Sequence, residues 1–131
     1  MEKLYHNFNN AEITQGIFID FTKAFDTIDH NILLQKLPYY NFRPSACQLL
    51  SSYLSDRKQF VKIKDQASGM KNISIGVPQG SVLGPVLFLI FINDLINSAP
   101  KLEYILFADD TNIFSNNPRF LNSEFQKIVD W

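Results

Sequence analysis

The chain has 131 residues, enough for one small globular domain, and its 46% apolar content excludes a disordered tail. Twelve Lys and Arg stand against thirteen Asp and Glu, so the net charge is −1, the pI is near 6.1, and no whole-chain field draws it to nucleic acid. The single Cys47 excludes an internal disulfide and a cysteine-based zinc site.

The N-terminal MEKLYHNFNN has no apolar core and does not read as a signal peptide, which predicts an intracellular protein that is not secreted. The first element is QGIFIDF, residues 15–21, whose continuous Ile17, Phe18 and Ile19 predict a strand buried on both faces and ending at Asp20. A helix follows in DHNILLQKLPYY, with Ile32, Leu33, Leu34 and Leu37 on one face and Pro38 as its stop. PSACQLLSSYLS predicts a second helix with Pro44 in its first turn. RKQFVKIKD alternates Phe60, Val61 and Ile63 with Lys58, Lys62 and Lys64, and NISIGV returns as its partner, so residues 58–77 predict a half-exposed hairpin turning at SGMKN.

GVPQGSVLGP is a loop rich in Gly and Pro that leads into a helix over 85–97, with Ser81 as a candidate cap. Its apolar run VLGPVLFLIFI is far shorter than the roughly 20 residues of a bilayer span, so it predicts a buried helix and no membrane association. LEYILFA and DTNIFS predict two strands joined at Ala108, Asp109 and Asp110. LNSEFQKIVDW opens a last helix, with Ser123 as a candidate cap. No repeat, low-complexity tract or flexible linker interrupts the chain, so residues 1–131 read as one unit.

Three stretches set polar or flexible residues directly against buried elements: FIDFTKAFD (18–26), GVPQGS (76–81) and FADD (107–110). A carboxylate at the end of a buried strand is costly unless it is solvated, paired or bound to a cation, and Asp20, Asp109 and Asp110 all occupy such ends. Clustered like charges repel, and a divalent cation reverses that repulsion. The oxygen-only donor set favours Mg²⁺ or Mn²⁺ over zinc, since neither His6 nor His30 lies in a spaced His/Cys pattern. Two such ions about 4 Å apart serve phosphoryl and nucleotidyl transfer. Taken singly, each stretch has a plainer reading: an Asp-Asp pair at a hairpin tip is most often a solvated turn, and a lone Asp after a strand is as often a turn former or cap.

Together, GIFIDFTKAFDTIDH, GVPQGSVLGPVLFLIFINDL and YILFADD resemble, in order and spacing, the palm region of the reverse transcriptases of non-LTR retrotransposons, particularly the jockey-like elements. The resemblance runs from about residue 15 to 131. It implies an α+β fold, a polymerase palm with an antiparallel sheet and helices on one face, comprising motifs A to C. It implies an RNA-directed DNA polymerase that uses two Mg²⁺ or Mn²⁺ ions, deoxynucleoside triphosphates, an RNA template and a DNA primer. The motif A aspartate falls on Asp20, with the Phe21 carbonyl as a further metal ligand, and the motif C pair falls on Asp109 and Asp110. The resemblance places Phe25 under the sugar of the incoming nucleotide, where a flat ring rejects a 2′-hydroxyl. The resemblance also implies that Gln79 and Gly80 line the nucleotide site and that Pro78 stiffens their loop.

Asp26, Asp29 and His30 read as caps and local hydrogen-bonding groups and are left out of the site. Arg57, Lys58 and Gln59 match a basic stretch near the nucleic acid, and a solvated hairpin face is an equal reading. The family's fingers, thumb and motif D have no counterpart in this sequence, so the expectation is that they belong to missing segments of a longer polyprotein. Two functional readings stand: a catalytic palm, or a truncated, catalytically silent retroelement remnant with at most weak metal or nucleic-acid binding.

Overall fold

The computed structural model describes residues 13–131; the N-terminal MEKLYHNFNN stretch and His6 lie outside the described residues. In chain order the elements are β1 (Gln15–Asp20), α1 (His30–Tyr39), α2 (Pro44–Leu54), β2 (Lys58–Gln59), β3 (Lys62–Ile63), β4 (Gln66–Ala67), β5 (Lys71–Asn72), α3 (Leu83–Ile92), α4 (Leu95–Ser98), β6 (Glu103–Phe107), β7 (Asp110–Ser115) and α5 (Pro118–Val129). Helix and strand are mixed, and every named strand pair is antiparallel. The chain divides into two compact units, one made of Lys23–Phe91 and the other of the residues up to Thr22 with Ile92–Trp131.

The second of these units is built on a three-stranded sheet in the order β1-β7-β6. Residues directly opposite in an antiparallel pair share a face, so the register sorts the side chains. One face carries Ile17 and Ile19 of β1 with Thr111, Ile113 and Ser115 of β7; the three β7 residues are buried, and α5 packs against β7. Leu95, Ala99, Leu102, Ile113, Leu121 and Ile128 form the core of this unit. The Tyr104 hydroxyl donates to the Ala99 carbonyl at 3.1 Å, and burial, with the Glu124 carboxylate adding to it, raises the phenol above its usual value near 10.

The other face is open. Phe18 is 74% and Phe107 75% exposed, and the expectation of a β1 strand buried on both sides is corrected. The reason is positional: the outward residues Gly16, Phe18 and Asp20 alternate with inward Ile17 and Ile19, and only the inward set meets buried neighbours.

In the unit Lys23–Phe91, α1 packs on α2, and Ala24, Ile28, Leu33, Leu37, Leu50, Leu54, Val77, Leu87 and Phe88 supply the core. The Asp29 side chain caps α1 by accepting from the backbone N–H of Asn31 at 2.7 Å and of Ile32 at 3.0 Å. Pro38 does not stop this helix but lies in its last turn, one residue before Tyr39. Pro44 opens α2 as expected.

The hairpin turns earlier than expected. Lys62 pairs with Ala67 and Ile63 with Gln66, so Lys64 and Asp65 make the turn, with Lys64 at φ +53°, and SGMKN belongs to the returning arm. The strands are two residues long and exposed on both sides, against the expectation of a half-buried hairpin.

The predicted helix over 85–97 starts at Leu83 and breaks at Asn93 and Asp94 into α3 and α4. Ser81 caps it as expected, accepting from the Gly84 N–H at 3.0 Å. Although α3 is apolar all round, Val86 and Leu89 are half exposed, so it is buried along one face only. The last helix begins at Pro118 under an Asn117 cap, and Ser123, the expected cap, sits inside it and donates to the Phe120 carbonyl.

Candidate functional site

Register places the first group of carboxylates. Asp20 is the last residue of β1, Asp110 the first of β7, and the two are direct partners across the strands. Phe107, the last residue of β6, pairs with Asp110 from the other side. Asp20 and Asp110 are therefore on the open face of the sheet, while their neighbours Ile19 and Thr111 are on the covered one. Asp109, half-buried, lies between Phe107 and Asp110 in a two-residue connection with Ala108. Ala108 has φ +51°, a conformation that costs a residue with a Cβ about 1 kcal/mol, so the tight turn beside the carboxylates is made at some strain.

Two like charges directly opposite on an antiparallel pair destabilise it unless water or a cation separates them. Hard carboxylate oxygens in that position suit Mg²⁺ or Mn²⁺ and not a thiolate-seeking metal. Among the described residues, no three His, Cys, Asp or Glu side chains are gathered as a ready-made metal cage, so the fit rests on the facing pair, with Asp109 next to it in sequence. Phe21 follows β1 directly and is half-buried.

A second group of predicted residues lies in the unit Lys23–Phe91. The segment from Lys23 to Ile28 is laced to the loop from Gly76 to Gln79 by main-chain hydrogen bonds: Gly76 N–H to the Ile28 carbonyl and Val77 N–H to the Phe25 carbonyl, both at 2.7 Å. The Nε2 of buried His30 is 2.7 Å from the Gly76 carbonyl oxygen. Gln79 Nε2 donates to Asp26 Oδ1 at 2.9 Å. Because a carboxylate only accepts, this contact fixes which end of the Gln79 amide faces Asp26. Phe25 stacks at a tilt on Phe88, with ring centroids 5.1 Å apart.

Gly76 has φ +83°, and a Cβ there would stand 2.7 Å from the Asp26 carbonyl oxygen. Gly80 has φ +77° with open space around it, so its backbone angle, and not a collision, calls for glycine there. Pro78 is half-buried, and its carbonyl accepts from the Ser81 hydroxyl at 2.8 Å.

This loop and turn line an open cleft of about 800 Å³, with Lys23, Asp26 and Thr27 from the turn and Pro78 and Gln79 from the loop. Arg57, Lys58 and Gln59 line it too, with Asn72 and Ser74 from the hairpin's returning arm. Arg57 is tethered, its guanidinium 5.3 Å from the Tyr53 ring and 3.4 Å from the Tyr53 carbonyl, while Lys58 and Gln59 are exposed.

Sequence reasoning left Asp26 and His30 aside as local groups, yet each bonds to the loop some fifty residues onward. Asp29 behaves as the cap it was read to be. The GVPQGS pattern gives Gly76 no role of its own, and the demand for glycine there shows only once the Asp26 backbone stands 2.7 Å from the place of its Cβ.

A family model described as "Reverse transcriptase (RNA-dependent DNA polymerase)" matches residues 2–131. The chain is similar to the RNA-directed DNA polymerase from mobile element jockey of Drosophila melanogaster, at 34% identity over 92% of the chain and 14% of that protein. It is similar to the probable RNA-directed DNA polymerase from transposon X-element of the same species, at 32% identity over 84% of the chain and 12% of the relative. A third relative, from transposon BS of that species, is 38% identical over 67% of the chain and 10% of its own length. The chain thus spans about a seventh or less of the curated relatives it matches.

Proposed function

Because the chain belongs to the reverse transcriptase family, in the branch carried by non-LTR retrotransposons, we propose that it is the palm of an RNA-directed DNA polymerase. Its substrates are then a DNA primer on an RNA template and deoxynucleoside triphosphates. The observation that carries this reading is the facing of Asp20 and Asp110 across the open end of the sheet, with Asp109 in the connection beside them.

Asp20, Asp109 and Asp110, with the Phe21 carbonyl, would hold two Mg²⁺ or Mn²⁺ ions. Bound there, these would supply Lewis acidity to the attacking 3′-oxygen and neutralise charge on the departing pyrophosphate. The protein's own part is to hold the carboxylates on paired backbone, where strand hydrogen bonds and not loop flexibility fix their spacing.

In the unit Lys23–Phe91, the staple between Phe25–Ile28 and Gly76–Val77 holds Phe25 and Gln79 on one support. Phe25 acts on the sugar of the incoming nucleotide, and Pro78, Gln79 and Gly80 act on its base and the template. Arg57, Lys58 and Gln59 carry nucleic acid at the rim of the cleft. The fingers and thumb that grip the duplex are expected from other segments of a longer polyprotein.

Primer extension on an RNA template with Mg²⁺ or Mn²⁺ tests the reading. Template-dependent incorporation that falls at least about a hundredfold in Asp109→Asn, in Asp110→Asn and in Asp20→Asn is the expected result. Incorporation indifferent to all three carboxylates would sink it, and no incorporation at all would leave a catalytically silent remnant.

A further inference from the structure

The charge of this chain is unevenly spread. Between Arg57 and Ile73 stand Arg57, Lys58, Lys62, Lys64 and Lys71 against Asp65 alone, a net charge of +4 in a chain whose total is −1. All four lysines are exposed, as are Phe60, Val61, Ile63 and Met70. The two strand pairs here, β2 with β5 and β3 with β4, are two residues long and bury neither face. A two-stranded ribbon with no covered face is marginally stable in water, which marks it as a surface that works with something laid upon it. Its base lines the cleft beside Gln79 through Arg57, Lys58, Gln59 and Asn72, so a strand lying in the cleft would have the ribbon within reach.

We propose that the whole ribbon from Arg57 to Ile73, and not only Arg57, Lys58 and Gln59 at its base, is a docking surface for single-stranded nucleic acid. Lys62, Lys64 and Lys71 would meet phosphates, and the exposed Phe60 ring would take a base by stacking. The alternation of cations with an aromatic ring suits a flexible strand, whose unstacked bases can reach the ring, better than a duplex, whose bases are stacked away. The choice of nucleic acid among polyanions rests on the polymerase reading above; the location of the surface rests on the charge.

Fluorescence anisotropy of a labelled single-stranded RNA with the full chain tests this without requiring catalysis. Lys62→Gln/Lys64→Gln/Lys71→Gln is expected to weaken binding roughly a hundredfold at 0.1 M salt and to flatten the salt dependence of log K by about 2. Phe60→Ala should weaken binding about tenfold and leave the salt slope as it is. The corresponding triple Lys→Arg variant, which keeps the charge, should restore binding. Unchanged RNA affinity in the triple Gln variant overturns the proposal and leaves the exposed apolar residues as a protein contact. Loss of incorporation in Asp110→Asn with RNA binding intact separates the two inferences, because each then fails or stands by its own variant.

Discussion

Gly76 is the residue on which the second group of site residues depends most tightly. Its φ of +83° disfavours any side chain, and a Cβ would press to 2.7 Å from backbone that cannot swing away. Gly76→Ala is therefore expected to cost about 3 kcal/mol, the left-handed penalty and the clash together. Gly80→Ala, with φ +77° and open space, should cost only about 1 kcal/mol, and urea midpoints of the two variants decide the matter. The Asp26–Gln79 contact belongs to the same scale. Both side chains are exposed, so its worth is in orientation and not in stability, and Asp26→Asn should leave the midpoint within about 0.5 kcal/mol of the parent.

Among the elements, two of the side-chain-capped helices, α1 and α5, make a contrast that can be measured. Asp29 accepts two backbone hydrogen bonds at the start of α1, so Asp29→Ala should lose about 1 kcal/mol in chemical unfolding. Ser123→Ala should change stability by less than about 0.5 kcal/mol, because Asn117 caps α5 and the Ser123 hydroxyl bonds an exposed carbonyl within the helix. Ser123, with Glu124 and Phe125 behind it, has the chemistry of a cap, but Pro118 starts the helix six residues before Glu124, the first helical residue that a Ser123 cap implies. β1, β6 and β7 were legible nearly to their ends, since apolar residues in runs or alternation bounded by Asp have few other solutions. The hairpin turn was not. SGMKN has better turn chemistry than Lys64–Asp65, and the pairing of Lys62 with Ala67 prevailed over local propensity. The long-range bonds of Asp26 and His30 were invisible for a different reason, as nothing local tells which loop will fold back onto a turn.

At the scale of the whole molecule, stability is expected to be graded. β7 is paired on both sides and buries Thr111, Ile113 and Ser115, whereas β2 to β5 bury nothing. Native-state hydrogen exchange should find the amides of β7 among the slowest and those of Lys58–Asn72 among the fastest; equal protection in the two segments would contradict the layout. The central place of β7 also bears on how the protein is made. Gln15 pairs with Ser115 and Asp20 with Asp110, so β1 leaves the ribosome about ninety residues before the strand that completes it. At roughly 5–20 residues per second, β1 waits some 5–20 s with Ile17, Phe18 and Ile19 unpaired. Throughout that interval the nascent chain needs shelter from its neighbours, and synthesis halted before Asp110 leaves a sticky strand that no later event can repair.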